Sequence, residues 1–279
     1  MSEIHEKEDE VQNDDEKTNL IPENADLVLK DLSFRYIGSD VNVLDNLNLT
    51  IPSNKITAIV GTSGSGKTTL MKLLLKFYEP NSGEIGLCRI TDEIPPKSGM
   101  TNLKNIAQKP WRNHIGSVMQ EGYIFSDTIA NNIAIGVDII DKEKLLYAAD
   151  VANIKDFIEE YPLGFNTKIG MEGVGMSTGQ KQRLLIARAV YKNPEMLFFD
   201  EATSALDANN EKEIMRKLDV FFKNKTVVVI AHRLSIVMNA DQIVVLEKGK
   251  IIEIGNHESL VKQKGSYFEL VRNQLQLGS

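Results

Sequence analysis

A chain of 279 residues can bury a substantial core and lies near the upper end of one domain, so a single domain with two lobes is expected. One cysteine, Cys88, excludes an internal disulfide framework and a cysteine-built zinc cluster, and fits a reducing cytosol. The net charge of -7 belongs to the beginning of the chain: residues 1–26 hold ten acidic and two basic side chains, which leaves 29 acids against 30 bases in the remainder, too neutral for nonspecific nucleic-acid binding.

Residues 1–26, rich in charge and poor in aromatics, read as an acidic flexible linker. From Leu27 the pattern becomes strand-like. "LVLKDLSFRY" (27–36) and "VLDNLNLTI" (43–51) alternate apolar and polar residues, and "KITAIV" (55–60) runs apolar into glycines. A helix "KTTLMKLLLKFY" (67–78) follows and is stopped by "EPNSG". The stretch 124–190 is mostly helical in period, clearest over 141–161, and predicts a helical subdomain at about 122–190. "MLFFDE" (196–201) and "TVVVIAH" (226–232) are short apolar runs that each end in an ionisable residue. Fully apolar short runs between helices predict a mostly parallel sheet covered on both faces, and in such sheets ligands bind beyond the carboxyl ends of the strands. "DQIVVLEKGKIIEIGNHESL" predicts a hairpin turning at Lys248–Gly249 and then a helix capped near Asn256. The longest apolar runs fall well short of the ~20 residues that span a bilayer, and no secretory leader opens the chain, so this polypeptide by itself is expected to cross no membrane.

"GTSGSGKTT" (61–69) fits the spacing G-x-x-x-x-G-K-[ST], follows an apolar run and opens a helix. Gly61, Gly64 and Gly66, with Thr62, Ser63 and Ser65 between them, let backbone N–H groups wrap around phosphates. Lys67 neutralises the outer phosphates, the Thr68 hydroxyl suits Mg2+, and Thr69 completes the loop. Asp200 ends a predicted strand, where a carboxylate holds Mg2+ through water, and Glu201 beside it can deprotonate an attacking water. His232 ends the next apolar run and reaches the same sheet edge. "GMSTGQKQRLLIARAV" (175–190) starts a helix: Ser177 is the N-cap, Gln180 closes a capping box, and Leu184, Ala187 and Val190 form a buried stripe. Gly175, Gly179, Lys181 and Arg183 are unusual company for a bare helix start. A helix N-terminus with exposed N–H groups, a hydroxyl and a glycine is a second anion-binding site in a chain that already has one.

These elements together resemble the ATP-binding cassette (ABC) family over roughly residues 27–275. "MSTGQ" (176–180) resembles that family's L-S-G-G-Q signature, "SALD" (204–207) falls at its D-loop, Gln120 at its Q-loop glutamine, and His232 at its switch histidine; Tyr36 lies where the family keeps an aromatic that stacks on adenine. Met176 and Thr178 depart from the signature. The segment from about Leu87 to Asn113 is longer than in most members by roughly ten residues, which reads as an elaborated surface loop.

The resemblance implies an α/β P-loop NTPase with a mostly parallel central sheet, an N-terminal antiparallel β subdomain and a helical subdomain, in an ABC ATPase domain spanning 27–279. It implies ATP and Mg2+ as cofactors. Glu201, His232 and Gln120 would be catalytic, and Thr68, Gln120 and Asp200 would serve the metal. Nucleotide contacts would come from Tyr36, residues 61–69, Ser177, Gly179, Gln180 and Asp207. In the family two cassettes pair head to tail, so Ser177 and Gly179 of one copy close on the γ-phosphate held by the other. A second copy of the chain is thus an expected partner, as is the transmembrane domain of an exporter, in the same full-length chain or a separate one, at the cytoplasmic face of the bacterial inner membrane. The wording of "EGYIFSDTIANNIAIG" and "NTKIGMEGVGMSTGQ" resembles bacterial peptide exporters that carry an N-terminal peptidase. The competing reading is a soluble ABC ATPase acting on nucleic acid or ribosomes. The short separation of Thr69 from Ser177, the lack of heptads and the neutral charge favour transport and no nucleic-acid partner. A nucleotide kinase would lack the signature and "SALD", and a cassette degenerate for turnover would not keep Glu201 and His232.

Overall fold

The structure is a computed structural model that describes residues 14, 17–89, 99–120, 122–170, 173–200, 208–231 and 234–277, with backbone alone for 208–210, 234, 235 and 274–277. In chain order the elements are β1 (Asp26–Phe34), β2 (Leu44–Ile51), β3 (Ile56–Val60), α1 (Lys67–Leu74), β4 (Ser82–Cys88), β5 (Thr101–Asn102), α2 (Gln108–His114), β6 (Ile115–Val118), β7 (Asp127–Thr128), α3 (Ile129–Ile133), α4 (Lys142–Val151), α5 (Lys155–Glu159) and β8 (Lys168–Ile169). There follow α6 (Thr178–Lys192), β9 (Met196–Asp200), α7 (Ala208–Phe221), β10 (Thr226–Ile230), α8 (Leu234–Met238), β11 (Gln242–Glu247), β12 (Lys250–Gly255), α9 (His257–Gln263) and α10 (Ser266–Leu277). No helix among the described residues is long and apolar enough to cross a membrane. The chain divides into two compact units, one made of the residues up to Ser53 with Thr62–Ile115 and Leu246–Ile252, the other of Asn54–Gly61, Gly116–Val245 and the residues from Glu253 on.

The first unit holds an antiparallel sheet in the order β2-β1-β4-β5. Along β1 the buried residues are Leu27 and Leu29, then Leu32 and Phe34, so the alternation changes phase in the middle. A bulge at Lys30–Asp31 causes the change: Asp31 sits at φ 47°, and the register against both β2 and β4 shifts there. Asn48 stabilises it, accepting from the Asp31 N–H and donating to its carboxylate. Gly83 makes room, since a Cβ there would collide with the Asp31 carbonyl.

α1 buries Leu70, Met71, Leu73 and Leu74 and is shorter than its periodic sequence predicts. It ends in a Schellman arrangement, with Lys76 at φ 58°, its N–H on the Leu73 carbonyl at 3.0 Å and the Phe77 N–H on that of Lys72 at 2.9 Å. The segment expected to be a surface loop is only partly one. Its described end forms β5, a 3-10 turn (Leu103–Asn105) and α2, and Trp111 is fully buried with its indole N–H donating to the Leu74 carbonyl at 3.2 Å. That segment also receives part of the stretch read as a flexible linker. The Thr18 N–H donates to Asn105 O at 2.8 Å, the Ala107 N–H to Thr18 O at 2.9 Å, and the Gln108 N–H to the Asp14 carboxylate at 2.8 Å.

The second unit is built on the sheet β12-β11-β3-β10-β9-β6, whose edge strand β12 begins in the first unit. β9, β10, β3 and β11 are parallel. Every residue of β9 and β10 is buried, as their unbroken apolar runs predict. The turn into β12 lies at Lys248–Gly249, as predicted, with both residues at positive φ (46° and 75°). α9 is capped by Asn256 through a reciprocal pair with Ser259. The helical stretch 141–161 is not one helix. It divides into α4 and α5 because Asn153 adopts φ 50°, with its N–H on Asp150 O and the Ile154 N–H on Ala149 O. A short antiparallel pair, β7 with β8, brackets α3, α4 and α5 in the chain, and the helical periodicity does not reveal it.

Candidate functional site

Within the first unit, residues 62–69 form a loop closed by the Ser65 N–H on the Thr62 carbonyl (3.2 Å) and continued into α1 by the Leu70 N–H on Gly66 O (2.9 Å). Gly66 is at φ 105° and abuts Leu44 and the Val43 carbonyl so closely that a Cβ would clash, so only glycine fits there. Lys67 is 6% exposed, and its ammonium donates to Thr62 O at 2.9 Å, which folds the cation back over its own loop. Thr62, Ser63, Gly64 and Thr68 are exposed. Ser65 is buried, with an Oγ that has no hydrogen-bond partner, while its carbonyl accepts from the Gly249 N–H in the hairpin turn (3.0 Å). The Tyr36 hydroxyl is 3.0 Å from Thr69 Oγ1, so the aromatic and the loop's helix are linked directly.

Within the second unit, the parallel register places Asp200 level with Ile230 and Ile230 level with Ile59. The carboxyl ends of β9, β10 and β3 therefore share one sheet edge, and the chain leaves β3 there through Gly61 (φ 151°). Asp200 is 1% exposed. Gln120 is exposed two residues beyond β6, and the chain after it lies on α6: a Cβ on Gly122 would collide with Leu185. Arg188 of α6 donates to the carbonyls of Asn132 (2.9 Å) and Tyr123 (3.1 Å), and its guanidinium lies 5.8 Å over the Phe125 ring. Burial pushes its pKa down to about 10. Asn132, fully buried, in turn accepts from Phe125 N–H and donates to the Phe125 and Thr128 carbonyls. Sequence reasoning passed over both residues. The available signal was a cation beside the apolar stripe of α6. Glu201, Asp207 and His232 lie outside the described residues.

The helix start at 175–190 is as expected. Ser177 Oγ accepts from the Gln180 N–H at 3.2 Å, and Gln180 Oε1 accepts from the Ser177 N–H at 2.8 Å. Leu184, Ala187 and Val190 are buried. Thr178 occupies the first helical position with an exposed side chain, so the departure from glycine is accommodated, while Met176 packs partly buried against the core. The Arg183 guanidinium donates to Asn153 O at 2.6 Å, at the αL corner between α4 and α5. The donors assigned to Mg2+, the Thr68 hydroxyl and the Asp200 carboxylate, are hard oxygens, which is the ligand chemistry Mg2+ requires.

A glycine-bent loop of P-loop spacing, a buried carboxylate at the end of a parallel strand and a capped, glycine-bearing helix start define a class. The family model described as ABC transporter matches residues 44–204. The alpha-hemolysin translocation ATP-binding protein HlyB of Escherichia coli is 42% identical over 250 residues, which is 89% of this chain and 34% of that protein. The ATP-dependent lipid A-core flippase of Haemophilus influenzae is 42% identical over 254 residues, 91% of this chain and 41% of that one. The solved structure of a bacterial Atm1-family ABC exporter with ATP bound superposes with a TM-score of 0.86 at 34% identity, over 98% of this chain and 46% of that one. The chain belongs to the ABC transporter family and has its P-loop ATPase fold. It spans about a third to two fifths of the length of these two relatives.

Proposed function

We propose that the chain is the nucleotide-binding domain of an ABC exporter, residues 27–279 with a helical subdomain at about 122–190, and that it binds and hydrolyses ATP. The observation that carries this reading is the loop 62–69, bent at Gly66, with a buried Lys67 at the start of α1. Lys67 and the loop N–H groups bind the phosphates and stabilise charge as water attacks the γ-phosphate in line. Glu201 takes the proton of that water, and Gln120 and His232 position it. Thr68 and Asp200, assisted by Gln120, would hold Mg2+. Mg2+, when bound, supplies neutralisation of phosphate charge. Tyr36 stacks on the base. Ser177, Gly179, Gln180 and Asp207 complete the site from a second copy, so ATP drives head-to-tail pairing and hydrolysis releases it.

The partner reading extends to a transmembrane domain, in the same full-length chain or another, which puts the cassette at the cytoplasmic face of a bacterial inner membrane; residues 1–26 are its tether. Export is supported by the relatives above. Their names give different cargoes at equal identity, so a peptide cargo rests on wording alone. The soluble reading has no comparable support. Isothermal titration tests the assignment: Lys67→Ala loses ATP affinity by at least ~10-fold, the scale of a charge-assisted contact, together with turnover, and unchanged hydrolysis contradicts it.

A further inference from the structure

Three aromatic rings meet in the first unit. Phe34, at the end of β1, and Tyr78, four residues beyond α1, both stand against Tyr36. The ring centroids of Tyr36 and Phe34 are 5.1 Å apart at 83°, and those of Tyr36 and Tyr78 are 5.5 Å apart at 89°. Both neighbours are perpendicular to Tyr36, so neither is stacked upon it. The Tyr36 hydroxyl meets Thr69 Oγ1 on α1 at 3.0 Å. Tyr36 is therefore held at both ends, by rings on its body and by a hydroxyl on the helix that begins in the phosphate loop.

The chain that delivers Tyr78 is itself fixed. The Schellman cap at Lys76 sets its direction out of α1, and beyond it the Arg35 N–H donates to Asn81 Oδ1 (2.6 Å) while the Asn81 N–H donates to Ser33 O (3.0 Å). The segments on either side of the ring pair are thus joined to each other. Phe34, 4% exposed, belongs to the core, but Tyr78 is 43% exposed. A ring that open adds little to the core, and the ring contacts it does make are with Tyr36 and Phe34.

We infer that Tyr78 is a positioning residue for the base-stacking ring. With the Thr69 hydroxyl it fixes the orientation of Tyr36 in advance, so stacking a nucleobase does not also have to order the ring. The ligand concerned is a nucleoside triphosphate, and the contribution goes to the base rather than to the phosphates. This rests on the reading of Tyr36 as the base platform.

Calorimetric titration of the chain with Mg-ATP and, separately, with Mg-tripolyphosphate tests it, using Tyr36→Ala, Tyr78→Leu, Tyr78→Phe and the double variant Tyr36→Ala/Tyr78→Leu. Tyr78→Leu weakens ATP binding by roughly 2- to 10-fold, the span of one aromatic pair, and leaves tripolyphosphate unchanged. Tyr78→Phe, which keeps the ring, binds ATP like the parent. On the Tyr36→Ala background Tyr78→Leu adds no further loss. The inference is overturned if tripolyphosphate weakens equally, which marks a structural role, or if the Tyr78→Leu loss persists without the Tyr36 ring, which marks direct contact with the base. Unchanged ATP affinity in Tyr78→Leu also overturns it. A Tyr36→Ala variant that binds ATP normally refutes the base platform itself, and that failure is read in a different protein from the failure of Tyr78.

Discussion

Ser177 has one observed duty and one proposed duty, and substitution can separate them. Its hydroxyl caps α6, and by the proposed head-to-tail pairing it also faces a phosphate held by a second copy. Ser177→Ala removes the cap and lowers unfolding stability by about 1 kcal/mol. Ser177→Asp keeps a cap and favours the helix dipole, so its denaturation midpoint stays at or above that of the parent. Its negative charge repels phosphate, however, and ATP-dependent pairing is lost. If Ser177→Asp pairs as well as the parent, the trans contact is wrong and the capping box alone explains the sequence. Residues of this kind were legible because their chemistry is local: the phosphate loop and the signature cap are written in nine and five consecutive residues. Arg188 and Tyr78 were not, because their partners are backbone carbonyls and rings 42 to 65 positions away, which no short pattern encodes.

Elements report the same division between local and distant causes. Unbroken apolar runs gave β9 and β10, and the Lys248–Gly249 turn gave the hairpin, since both signals are confined to a few residues. The break between α4 and α5 was hidden because Asn153 interrupts the helical period by its backbone rather than by its polarity. Asn153→Ala, forced into the left-handed region, costs about 1 kcal/mol in urea denaturation, while Asn153→Gly is neutral or better; equal loss in both would place the effect elsewhere. The insertion is likewise more than a loop. Trp111→Ala destabilises the fold by about 3–5 kcal/mol, since it opens a large cavity beneath α1 and leaves the Leu74 carbonyl unserved, whereas a surface loop would tolerate it within ~0.5 kcal/mol. The Asp14 clasp has a pH signature. Burial raises its carboxyl pKa, but the Gln108 N–H and the Lys17 ammonium outweigh that and hold it below its ordinary value. A carboxylate depressed in the folded state stabilises the clasp above its unfolded pKa and stops doing so as pH falls through the folded one. Amide exchange at Thr18 and Ala107 should therefore be slow at neutral pH, after correction for intrinsic rates, and lose protection only in acid below about pH 4. Protection that is constant across that range would show that Asp14 does not hold the clasp.

At the scale of the whole molecule, the sequence contains one phosphate loop and one signature, the latter with Met176 and Thr178 departing from the family wording. Parallel register brings Asp200 to the carboxyl edge of its sheet, and in the proposed assembly one chain would supply one face of a nucleotide site. By the proposed pairing, the exposed, capped start of α6 would supply the other face of a second site. Two copies related by a twofold axis would use both. The most direct test is the solution mass of Glu201→Gln by size exclusion with light scattering, with and without Mg-ATP, since removing the proposed base traps ATP while leaving both surfaces intact. The account predicts that Mg-ATP doubles the mass, and that adding Ser177→Arg abolishes the doubling without abolishing ATP binding. A variant that binds ATP and remains monomeric, or one that pairs equally well with Ser177→Arg, would contradict it.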